Sequence, residues 1–166
     1  MENSMEERRK RPVFLTVLAI LSFISIGFGL LGNVMGLIAG PMSATEMEQV
    51  TASSMKIIES MDQGGVNNFS DTFAMAFRME NYKNLNFYPD KLITILGFVL
   101  GLFGVINMMK GNKNGFHMYI IYNLISIATI YVSVPPSEVP GFFIVVNVLF
   151  SGLFVLLYSR NLHWMK

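Results

Sequence analysis

Between Val13 and Ala39 the chain carries 27 residues without a single charge. About 18 such residues suffice to suggest a membrane span. A secretory signal has a shorter core of about 7–15 residues and ends in a small-x-small cleavage site. The end of this run, Leu37-Ile38-Ala39, lacks the small residue at the outer position. The run is therefore expected to stay as the first span. Everything after it must fold in or against a bilayer.

Three further apolar blocks follow, at 92–109, 116–134 and 141–158. Apolar residues make up 52% of the chain and charged residues 14%, and the apolar ones are gathered into these blocks. Soluble domains carry about 25% charge. The expected fold class is all-α, a bundle of four transmembrane helices. A net charge of +1 offers nothing to nucleic acid. With no cysteine there is no disulfide, thiolate metal site or cysteine nucleophile.

The segments between the blocks set the expected topology. Residues 1–12 form a charged tail with Arg8, Arg9, Lys10 and Arg11. Lys110 and Lys113 lie between the second and third blocks, and Arg160 and Lys166 lie in the tail 159–166. On the other side, Lys56, Arg78, Lys83 and Lys91 are diluted among seven acidic residues in 40–91. Basic residues gather on the cytoplasmic side of a membrane. Both termini are thus expected in the cytoplasm of a cell with an inner (plasma) membrane, and residues 40–91 outside.

The segment 40–91 is too patterned for a loop. Ser43-Ala44-Thr45-Glu46 has the spacing of a capping box. Met47, Val50, Ile57 and Met61 then recur at helical spacing, giving an amphipathic helix with a candidate interaction face. Gly64-Gly65 and Asn67-Asn68 break it, and a second helix starts near Ser70. An extracytoplasmic helical hairpin is expected here, ending in the aromatic anchor Phe87-Tyr88-Pro89.

Two sets of residues within the spans carry candidate function. Gly29, Gly32 and Gly36 advance along one face of the first span, and Gly97, Gly101 and Gly104 form a face on the second. Spans gain from close backbone approach, so these faces are read as helix-packing surfaces for each other or for a partner. The second set is Asn33, Asn107, Asn123 and Asn147, one amide in each span. Depth along the helices matches Asn33 with Asn147, and Asn107 with Asn123 given some tilt. In the third span Asn123, Ser126, Thr129 and Ser133 recur by three or four and should face protein.

Catalytic chemistry has no visible home. The chain lacks a phosphate-binding loop, a zinc-binding HExxH and a GxSxG elbow. His117 and His163 fall at span boundaries. Methionines at 42, 47, 55, 61, 75 and 79 lack the dense clustering or nearby histidine of a copper site. No cofactor or metal is expected. The leading reading is a non-catalytic accessory or scaffold subunit, whose glycine faces or outer helical cap bind a membrane-protein partner or a second copy. The alternative is a small transporter or channel with an Asn/Ser/Thr-lined route.

The opening KRPVFLTVLAILSFISIGFG, Lys10 to Gly29, resembles the start of small four-span membrane proteins of unknown function from Bacteroidetes-type bacteria. The resemblance implies a bacterial inner membrane and transfers no site residue.

Overall fold

A computed structural model describes residues 11–63 and 67–166, with the backbone alone for residues 61, 62 and 67–69. Arg8, Arg9 and Lys10, the Gly64-Gly65 break and the side chain of Met61 lie outside the described residues. The described chain is all-helical. Its elements are α1 (Val13–Ala39), α2 (Ala44–Gln63), α3 (Asn67–Leu85), α4 (Phe87–Met109), α5 (Asn114–Ser133) and α6 (Gly141–Ser159), with a 3₁₀ turn at Pro136–Glu138. Four of them, α1, α4, α5 and α6, are long and apolar enough to cross a membrane.

The second long apolar helix begins earlier than the apolar block does. Phe87-Tyr88-Pro89 is its first turn, and only Asn86 parts α3 from α4. Proline is tolerated there because the first turn's N–H groups have no helical partner anyway. Asp90 also favours a helix start, where the backbone dipole attracts negative charge. The shift brings Asp90 and Lys91 inside the helix.

Successive long helices run in opposite directions. Asn33 of α1 meets Lys91 at the start of α4. Gly104 of α4 meets Gly115 and Tyr119 of α5, and Gly97 meets Ile125 further along. Tyr158 at the end of α6 meets Ser22 of α1. The bundle therefore has a terminal end, holding the start of α1, the α4–α5 turn and the C-terminal tail. At its other, hairpin end lie α2 and α3.

The glycines of α4 do not face α1. Gly97 takes Ile125, Gly101 lies under the ring of Tyr122, and Gly104 touches the backbone of Gly115 and Tyr119. Their partner is α5, because Gly115 supplies the matching gap. A Cβ on Gly115 would sit 2.5 Å from the carbonyl oxygen of Gly104 and from the amide nitrogen of Met108. On α1, Gly29 accommodates the Phe98 ring, a Cβ added at Gly36 would sit 3.5 Å from the Lys91 chain, and one added at Gly32 would meet nothing within 4 Å. The gap at Gly29 is filled by an aromatic ring of α4 and not by one of its glycines, so the expected glycine-on-glycine seam between α1 and α4 does not form.

The main core gathers at the terminal end. Leu15, Leu18 and Ala19 of α1 pack with Val105 and Met108 of α4, Phe116 and Tyr119 of α5, Tyr158 of α6 and Met165 of the tail. The tail is bound in from below. Lys113 N–H donates to the Lys166 carbonyl at 3.1 Å, Lys166 N–H to the Gly111 carbonyl at 2.7 Å, and Trp164 covers Gly111.

At the hairpin end α3 rests on the α5–α6 connection. Met79 packs with Val134 and Val139. The Arg78 guanidinium pairs with Glu138 at 2.8 Å. Asn84 clamps the α1–α2 linker, accepting from Met42 N–H at 2.8 Å and donating to its carbonyl at 3.0 Å. The capping box forms as its spacing predicts. Ser43 N–H donates to Glu46 at 2.8 Å, and Glu46 N–H donates back to the Ser43 hydroxyl at 3.3 Å. On α2, Met47 is half-buried, while Val50 and Ile57 stay exposed at 42% and 48%.

Candidate functional site: a cleft lined by hydroxyls and amides

The α4–α5 pair is drawn tight by its glycines, but α6 stands off from the bundle. Tyr158 is its one buried residue. The gap between α6, α1 and α5 is a cavity of about 430 Å³. Ser22 and Ser25 of α1, Asn123 and Ser126 of α5, and Asn147 and Ser151 of α6 supply its polar lining, with Phe143, Phe150 and Phe154 between them. A second cavity, of about 500 Å³, lies toward the hairpin end. Asn33, Glu80, Lys83, Asp90 and Lys91 lie in its wall, and so do Ser126 and Asn147, which both cavities share. Each volume falls in the range of small-molecule sites, roughly 300–1,000 Å³.

A hydroxyl cluster lies at the terminal limit of this cleft. Tyr158 O–H donates to Ser22 Oγ at 2.9 Å, and Ser22 Oγ lies 3.4 Å from the Tyr119 hydroxyl. The rings of Tyr119 and Tyr158 pack with centroids 4.9 Å apart. Three helices are tied together here. The apolar core of Leu15, Leu18, Val105 and Met108 lies beyond the cluster, so the cleft is blind at the terminal end.

The four asparagines behave differently from the expected pairs. Asn33 donates to its own helix at Gly29, Asn107 at Phe103 and Asn123 at Tyr119, each to the carbonyl one turn back, at 2.8, 2.9 and 2.7 Å. A short amide on a helix reaches that carbonyl without crossing to a neighbour, and none of the four amides bonds to another. Asn147 accepts from Ser151 of its own helix at 3.3 Å. The amides therefore line a cavity more than they join helices. Asn123 and Asn147 share the first chamber, Asn33 and Asn147 the second, and Asn107 lines neither.

The polar stripe of α5 does face protein, with Asn123, Thr129 and Ser133 buried. Sequence reasoning missed that Tyr119 and Tyr122 extend it by one turn. Two tyrosines at i, i+3, one turn before Asn123 and Ser126, were the available signal. It also left Asp90 and Lys91 at a boundary. Asp90 is only 7% exposed and accepts from the Ser133 hydroxyl at 2.9 Å. The Lys91 ammonium donates to Asn33 Oδ1 at 3.3 Å and lies 5.8 Å from the Phe87 ring centre.

Among the described residues, no group of three or more His, Cys, Asp or Glu side chains could hold a metal. Comparison with protein-family models, curated proteins and solved structures finds no match to this chain.

Proposed function

We propose that this chain is a non-catalytic protein of a bacterial inner membrane that admits a small ligand from outside into its cleft, as a binding or transport component. Both termini would lie in the cytoplasm, and α2 and α3 would form the extracytoplasmic hairpin. The charge distribution supports this orientation, since Lys110, Lys113, Arg160 and Lys166 all fall at the terminal end.

The observation that carries the reading is that the two cavities adjoin, with Ser126 and Asn147 in the wall of both. From Ser22 to Ala39 the α1 wall runs about 26 Å at 1.5 Å per residue. That is most of a hydrocarbon core about 30 Å thick. A polar surface at such depth is costly against lipid and gains by facing water or a ligand. The inner chamber holds hydroxyls and amides without carboxylate or ammonium, which favours a neutral or amphipathic guest over ion or proton conduction.

The absence of native cysteine gives a clean test. Asn147→Cys in intact cells should react with a membrane-impermeant thiol reagent supplied outside. No reaction, with the protein folded and inserted, would reject the water-filled cleft.

An accessory-subunit reading is favoured by one observation. A Cβ added at Gly32 on α1 or at Gly152 on α6 would meet nothing within 4 Å, which leaves room for a partner's backbone. Crosslinking in native membranes followed by purification should then recover one defined partner, lost on Gly32→Leu.

A further inference from the structure

The outer cavity contains two opposite charges that are not neutralised by each other. Glu80 and Lys83 on its rim pair at 2.9 Å and satisfy one another. Asp90 and Lys91 remain. Among the described residues neither has an ion-pair partner; Asp90 accepts from the neutral hydroxyl of Ser133, and Lys91 meets the neutral amide of Asn33 and the Phe87 ring. Both line the same cavity. A carboxylate 7% exposed is costly unless a cation or a full set of donors meets it. The helix N-terminus and one hydroxyl supply part of that set. Consecutive residues on a helix point in different directions, so Asp90 and Lys91 cannot easily close on one another.

We propose that this outer cavity binds a zwitterion, its anionic oxygens on the Lys91 ammonium and its own ammonium on the Asp90 carboxylate. The proposal rests on the outward-opening cleft above and names its ligand class. One arrangement satisfies both orphaned charges and leaves the Glu80–Lys83 pair intact. The Phe87 ring beside the site faces the Lys91 ammonium, 5.8 Å from its centre, and helps hold it at the cavity wall. The chemistry has two sources: the headgroup of a zwitterionic lipid, whose chain would enter the inner chamber past Asn147, or a free solute of amino-acid or betaine type.

The full-length protein in mild detergent separates these sources. Native mass spectrometry would compare retention of phosphatidylethanolamine with that of phosphatidylglycerol, and thermal unfolding would be followed against glycine betaine. Each charge-assisted contact contributes about 1.5–3 kcal/mol, at least about tenfold in affinity. A lipid source predicts roughly tenfold preference for phosphatidylethanolamine, lost in Asp90→Asn, and a retention of both lipids that falls about tenfold in Lys91→Gln and is kept in Lys91→Arg. A free-solute source predicts instead a saturable rise in Tm with betaine, lost in Asp90→Asn and in Lys91→Gln. Should Asp90→Asn fail to fold, Lys91→Gln against Lys91→Arg decides alone. Equal retention of both lipids together with no betaine shift overturns the proposal, and so does binding undiminished in Lys91→Gln. If Asn147→Cys is still labelled from outside in that case, the cleft stands and only its ligand class falls.

Discussion

Gly115 shows how much depends on a single missing methyl. Its Cβ would meet two backbone atoms of α4, which no rotamer change can relieve. Gly115→Ala should therefore force the tightest helix pair apart, at an overpacking cost of about 1–3 kcal/mol. At Gly36 the nearest atoms belong to the flexible Lys91 chain, so Gly36→Ala should change stability little. Thermal unfolding of both variants in detergent checks the contrast. Sequence spacing marks Gly97, Gly101 and Gly104 as a packing face but cannot say which helix fills it. Gly115 stands at the start of α5, isolated from any repeat, and gains its meaning only from α4 across from it.

The hydroxyl cluster is likewise a residue-scale matter. Tyr158→Phe removes the donor to Ser22 and one of the ties holding α6. Interhelical hydrogen bonds within membranes contribute about 0.6 kcal/mol on average. A small loss of stability is thus expected, with earlier loss of α6 than of the α4–α5 pair in hydrogen exchange. Equal protection of α6 in wild type and variant would remove this role.

Among the elements, α2 begins where its sequence says it should, because a capping box is local and needs no tertiary partner. Glu46 is held below the usual carboxylate range, first by the Ser43 backbone N–H and then by the Ser43 hydroxyl. A carboxyl lowered in the folded state stabilises above its ordinary pKa, and that contribution disappears as pH falls through the lowered value. At neutral pH the first turn of α2 should be better protected from amide exchange than in Glu46→Gln. The difference should vanish once the solution is more acidic than the carboxylate range. Less predictable was the start of α4. Phe87-Tyr88-Pro89 reads as an aromatic anchor at the span entrance, ahead of the apolar block, yet proline in a first turn costs no hydrogen bond and the helix starts there. That one displacement moved Asp90 and Lys91 from a boundary into a cavity wall. The amphipathic face of α2 is legible as a pattern, while the exposure of Val50 and Ile57 depends on how α2 sits on α3.

At the scale of the whole molecule, packing is unequal along the bundle. The terminal end holds the dense core and the hydroxyl cluster, and the hairpin end holds the cleft. Helix number, length and alternating direction follow from four apolar blocks with short polar connections between the last three. The cleft does not, because it arises from α6 standing off while α4 and α5 close together, a balance between distant residues. The same asymmetry predicts that Met79→Ala, on the buried face of α3, loosens the hairpin end by about 2–5 kcal/mol. Faster proteolysis within α3 and no change near α5 would be its signature.

The central claim is a blind cleft open to the outside, and a ladder of cysteines along α6 tests it most directly. Phe143→Cys, Asn147→Cys, Ser151→Cys and Phe154→Cys all lie in the inner chamber wall, and Val105→Cys lies in the closed core. An impermeant thiol reagent applied to intact cells should label the four α6 positions with reactivity falling toward Phe154, and leave Val105→Cys untouched. Applied to inverted vesicles it should label none of them. Labelling from both faces, or at no position on the ladder, would contradict the account.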